Sequence, residues 1–234
     1  MSHLESIGFS INSSEEFEAL IGKVFESGIE VKVEEGSYMV YTDASGAEIY
    51  AQLDSNREFI GFMPFFDTQI TKNIHVESTI LNEDLTSLDK RYFAKSQEQT
   101  YPFVFDVVNA NVRDIASSRE TLPFVAFPTE IELFASAEHF LKEMPELSAT
   151  YFIPVGLMTP EGEANENPEP YAMFIAEINS VKIKTNEYSN KSFYVLEVSA
   201  LEGDLTIVTS MESLKNEPKV GNFVNGVYWM GTKV

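Results

Sequence analysis

Apolar and polar positions alternate with period two over most of this chain, and two stretches break into the spacing of an amphipathic helix. Residues 6–11 alternate small or polar with apolar side chains, which predicts a strand. Asn12, Ser13 and Ser14 then offer helix caps, and Glu16 stands three residues after Ser13 as a capping box requires. Phe17, Leu20, Ile21, Val24 and Phe25 form one helical stripe, which Gly28 ends. Residues 37–42, 47–53 and 58–62 predict three further strands, separated by turn-forming residues at 43–46 and 54–56. Residues 6–66 therefore predict the order β-α-β-β-β.

Farther along, residues 74–81 and 103–108 predict strands, and residues 86–92 a short helical segment. Residues 122–127 are continuously apolar between prolines. Residues 130–144 predict the second helix, with Ile131, Phe134, Ala135, Ala137, Phe140 and Leu141 inward and Pro145 as its stop. Residues 151–157 predict another strand. Residues 159–170 hold three Pro and four Glu and no large apolar side chain, which marks a loop or linker. Beyond it the pattern is all β: a long strand at 171–184 bent near Asn179 or Ser180, strands at 192–200 and 205–209, a helical turn at 211–215 and a strand at 222–230. The expectation is an α+β fold with an N-terminal βαβββ module, a mixed middle region with one helix, and a C-terminal small antiparallel β-barrel that is OB-like in strand order. The expected divisions are an α+β domain at 1–158, a linker at 159–170 and a β-rich OB-like domain at 171–234.

Charge changes the picture more than length does. Sixteen basic residues face 37 acidic ones in 234, a formal net charge of −21. Such a surface disfavours the phosphate backbone of nucleic acid and the anionic face of a membrane. It suits either a solvated face or a basic protein partner. The absence of Cys excludes disulfides, thiolate nucleophiles and thiolate metal sites. No secretory signal is expected, and no stretch approaches the ~20 apolar residues that span a bilayer. A cytoplasmic protein is the expectation.

Chemistry-bearing motifs are sparse. Neither a Gly-x-Ser-x-Gly elbow nor a Gly-rich phosphate loop occurs, so no catalytic residue and no cofactor is assigned. His75 and Glu77 fall on one face of a strand at a spacing suited to two ligands of a divalent metal. Tyr194, Tyr228 and Trp229, with Tyr188 and Phe193, could offer stacking faces for a small ligand, although core filling of a small barrel is the favoured explanation. Residues 59–66 are unusually aromatic and suit either a partner contact or a packing seam.

The hairpin Asp43-Ala44-Ser45-Gly46-Ala47-Glu48-Ile49-Tyr50, within the β-α-β-β-β order, resembles one module of the glyoxalase/bleomycin-resistance (vicinal oxygen chelate) superfamily. The resemblance implies a metal-dependent enzyme scaffold, and it puts Tyr50 where that family has a metal-ligating Glu. The favoured expectation is a non-enzymatic, acidic binding or interaction protein whose partner is a basic protein or a small ligand. A metal-dependent enzyme on the chelate scaffold and a small-ligand module are the alternatives.

Overall fold

The structure, a computed structural model, describes residues 3–82, 84–96, 101–159 and 161–234. Helix α1 spans His3–Ser6 and α2 spans Ser14–Ser27. The predicted cap of α2 is present. Ser13 Oγ accepts from the Glu16 amide at 3.2 Å, and the Glu16 carboxylate reaches back to the Asn12 amide at 2.7 Å. Residues 6–11 do not form the expected strand. The amides of Ile7 and Phe9 both return to the Leu4 carbonyl, so this backbone is satisfied locally. The alternation instead buries Ile7 and Phe9 as plugs in the core.

Four strands follow α2 where three were expected. They are β1 (Ile29–Val33), β2 (Gly36–Thr42), β3 (Ala47–Asp54) and β4 (Phe59–Phe66), paired antiparallel in chain order. The aromatic run at residues 59–66 is therefore a strand, and Phe59 and Phe62 pack on Phe17 of α2.

The remaining strands build a second, nine-stranded sheet. They are β5 (Thr71–Ile80), β6 (Lys90–Ser96), β7 (Pro102–Val107), β8 (Arg119–Phe134), β9 (Phe152–Ile153), β10 (Tyr171–Thr185), β11 (Ser192–Ala200), β12 (Gly203–Ser210) and β13 (Phe223–Thr232). Their order is β11-β12-β8-β5-β6-β7-β13-β10-β9, with further β11–β10 and β8–β13 pairings. Those two pairings turn the sheet back on itself. β8 and β13 form a seam shared by two rings, one through β5, β6 and β7 and the other through β10, β11 and β12. Strands from both sides of residues 159–170 thus pair in one sheet. That segment, of which Pro160 lies outside the described residues, is pinned at both ends: Met158 bridges Ala164, and the Pro168 carbonyl accepts from Arg91.

Two more expectations are corrected. The helix expected at 130–144 is a strand as far as Phe134, and only α3 (Ala137–Glu143) is helical. Glu130 and Glu132 are exposed and Ile131 and Leu133 half-buried, a period of two that serves strand pairing with β13. Residues 86–89 form a turn closed by Thr86 and Asp89, and β6 begins at Lys90. The bend expected near Asn179 or Ser180 is a register shift between Ile178 and Ser180 of β10.

The β8 run at residues 122–127 is apolar on both faces because both faces are buried. Phe124 and Ala126 enter a cluster with Tyr92, Phe105, Phe174 and Leu196. Val125 and Phe127 enter a second cluster, which also takes Phe9, Leu20, Ile49 and Phe65 from the N-terminal unit. The two sheets are therefore fused by shared core. Hydrogen bonds register them: Tyr38 Oη donates to the Leu88 carbonyl at 2.7 Å, and Lys233 Nζ holds Glu48 at 3.0 Å and Asp67 at 2.9 Å.

Candidate functional site

β8 presents a long strand edge that its neighbours leave incomplete. On one side β13 pairs with it from Phe124 to Phe134. On the other side β5 takes Arg119–Pro123 and β12 takes only Val125 and Ala126. No described strand continues along that side past Ala126. Beside this open edge lies a groove of about 460 Å³, walled by Glu130–Phe134, by α3, by Ser213–Asn216 and by Asn225–Val227 of β13.

Its surface is two-sided in chemistry. Glu130 and Glu132 point out on one face of β8, opposite Val227 and Asn225 of β13, and Glu143 of α3 stands across from them. Met144, Met173 and Phe134 supply apolar walls that belong to a third small cluster around Phe140 and Tyr151. Tyr151 Oη donates to Asn225 Oδ1, and burial pushes its pKa up, so it stays a neutral donor. Lys215 is the only lysine or arginine lining the groove among the described residues.

The groove's histidine is committed. His139 Nδ1 accepts the Ala135 amide at 3.3 Å, and Nε2 faces Glu143 Oε1 at 3.0 Å. With Nδ1 an acceptor, Nε2 carries the proton and donates to Glu143. Neither nitrogen is left to act as a base. Ser136 caps this helix by accepting the His139 amide at 3.1 Å, so the dyad is part of how α3 is fixed.

The residues singled out from sequence lie elsewhere. Tyr194 and Tyr228 are buried in the first cluster, and Tyr228 stacks on Phe174 with centroids 4.2 Å apart. Trp229 points the other way, into the second cluster, and donates from Nε1 to Asp106 Oδ2 at 3.0 Å. Arg91 grips the same carboxylate at 2.7 and 3.2 Å. The three aromatics are thus not assembled into one face. Glu77 sits at a register shift in β5 and pairs with Lys95 Nζ at 2.7 Å. His75 stands in register with Lys95 on one side and Arg119 on the other, both cations. Among the described residues no group of three or more His, Asp or Glu is arranged to hold a metal ion. Asp43 closes its own turn by accepting from Ser45, and Tyr50 Oη donates to Glu48 at 3.0 Å.

Glu130 and Glu132 were visible as acids at the start of an expected helix. The signal for the groove was their alternation with Ile131 and Leu133, which is a strand's period. No described helix is long and apolar enough to cross a membrane. Comparison with protein-family models, with curated proteins and with solved structures gave no match for this chain.

Proposed function

We propose that this is a non-enzymatic interaction protein that captures an extended, basic segment of a partner protein along the open edge of β8. The observation behind this is an unpaired strand edge beside a groove of about 460 Å³, rimmed by Glu130, Glu132 and Glu143. An exposed edge offers backbone hydrogen bonds to any added strand. Acidic side chains on that edge repel a second copy of this chain, whose own charge is −21, and admit a strand carrying Lys or Arg. The apolar walls receive the alternate side chains of such a strand. With both His139 nitrogens taken, the groove recognises rather than reacts. The ring through β10–β13 and β8 acts in this reading as the small barrel that carries the edge.

Fluorescence anisotropy with a labelled Lys-Val alternating peptide tests this at 150 mM salt. The basic extended peptide binds, and its Glu-Val and proline-interrupted counterparts do not. Glu130→Lys with Glu132→Lys weakens binding at least tenfold. Equal binding of the proline-interrupted peptide, or no loss in the double variant, overturns strand addition at this edge.

A further inference from the structure

A second, smaller cavity lies away from the groove, between β5, the end of β6 and the β11–β12 turn. It encloses about 250 Å³ and is lined by Thr71, Lys72, Asn73, Ser96, Glu202, Gly203 and Asp204. The turn is tight. Ala200 pairs with Gly203, so only Leu201 and Glu202 connect the strands, and Gly203 takes a φ of +92° that favours glycine. This folds Glu202 back into the protein, where it is 4% exposed. Neither of its carboxylate oxygens meets a hydrogen-bond donor in bonding geometry among the described residues. Lys72, itself 7% exposed, donates from Nζ to the Glu202 backbone carbonyl rather than capping the carboxylate.

An orphaned carboxylate in a cavity wall is costly unless something else completes it. Burial pushes Glu202 up to about 7, against the pull of Lys72 and then of the Ser96 hydroxyl. The charged groups facing it are Lys72 from β5 and Asp204 from β12, and Ser96 is the polar group from β6. Asp204 Oδ1 already accepts from Ser199 Oγ at 2.6 Å. With Glu202 ionised, one cation and two anions line the cavity among the described residues, a net charge of −1 that a single cation closes. Two acceptor oxygens on one carboxylate match two parallel N–H donors, the fork of a guanidinium or amidinium group. The volume lies below the ~300 Å³ at which drug-sized pockets begin, so the ligand is small.

We infer that this cavity binds a small guanidinium- or amidinium-bearing cation, and that Glu202 turns out of the wall and gives up its proton to solvent as the ligand enters. The site is independent of the β8 groove, and its ligand is distinct from the partner proposed there.

Calorimetric titration of the full chain with methylguanidinium chloride, at pH 5.5 and pH 8.0, tests the inference. Affinity rises about 30-fold between the two pH values, because a group titrating near 7 goes from mostly protonated to mostly ionised. Heats measured in buffers of different ionisation enthalpy show proton release at pH 6. Glu202→Gln abolishes binding while its circular dichroism spectrum stays that of the parent. Urea, a neutral fork, and ethylammonium, a cation without one, bind at least tenfold more weakly. No binding of methylguanidinium at pH 8.0 overturns the inference, as does unchanged affinity across pH or in Glu202→Gln.

Discussion

A buried carboxylate without donors destabilises the fold whenever it ionises, and Glu202 and Asp106 show the two outcomes. Burial raises the pKa of both. Asp106 is gripped by Arg91 and Trp229, which oppose that rise, whereas Glu202 has no donor in hydrogen-bonding geometry among the described residues. The unfolded chain loses the Glu202 proton near 4.5 and the folded chain near 7. Between those values the unfolded state holds fewer protons, so stability falls as pH rises, and the loss is complete above about 7. Glu202→Gln removes this slope. Denaturant unfolding finds the stability advantage of the variant over the parent greater at pH 8 than at pH 5 by about 1–2 kcal/mol, a figure reduced for water reaching the cavity. A parent whose stability does not fall over this range, relative to the variant, contradicts the assignment of an uncompensated carboxylate. None of this was legible in the sequence, because one acid among 37 carries no sign of where a two-residue turn will aim it.

At the scale of elements, two glycines separate local preference from strand pairing. Gly22 lies exposed inside α2, with open space where a Cβ would go. Gly22→Ala therefore stabilises by about 0.5–1 kcal/mol. A Cβ on Gly226 of β13 would stand 2.1 Å from the Glu130 carbonyl oxygen of β8, a backbone atom with nowhere to go. Gly226→Ala forces the seam apart and costs at least about 2 kcal/mol. Thermal unfolding of the two variants gives shifts of opposite sign, and a neutral Gly226→Ala would mean that the seam is looser than its register implies. The same contrast explains which elements the chain announces. α2 carries its own cap and stripe, and β10 its own bend, so both were legible. The helix expected at 130–144 was not resolved from a strand because Phe134, Phe140 and Leu141 fit a helical stripe equally well. The pairing of β8 with β13 joins residues about a hundred positions apart, and no local window contains that information. The open edge was hidden for the same reason, since an edge exists only once its neighbours are placed.

For the whole molecule, the relation between the sheets decides whether it behaves as one body. The second cluster draws on α1, α2, β2, β3 and β4 and also on β8, β11, β12 and β13. Separating the sheets would expose Phe65, Phe127, Phe193 and Trp229 together, at about 1.5–3 kcal/mol for each large side chain. Electrostatics adds to this at one point. Lys233 follows β13 and holds Glu48 of β3 and Asp67 after β4, so the last residues of the chain clamp the N-terminal sheet. The Glu48 side chain is 8% exposed, and its other partner is the Tyr50 hydroxyl. Lys233→Met leaves that carboxylate with one donor and costs about 2 kcal/mol, less than a fully buried pair because Lys233 is partly solvated. Trp229 is the single tryptophan and lies where His3 of α1 stacks on it at 5.3 Å, so its fluorescence reports the junction. Far-UV circular dichroism reports both sheets. In the parent the two signals unfold with one midpoint, and in Lys233→Met both midpoints fall together. If the N-terminal sheet were an independent domain, the dichroism would show a second transition and Lys233→Met would move only the fluorescence. Coincident midpoints instead mean that any partner binding the β8 edge stabilises the N-terminal sheet as well, since ligand that binds only the folded state raises the stability of everything that unfolds with it.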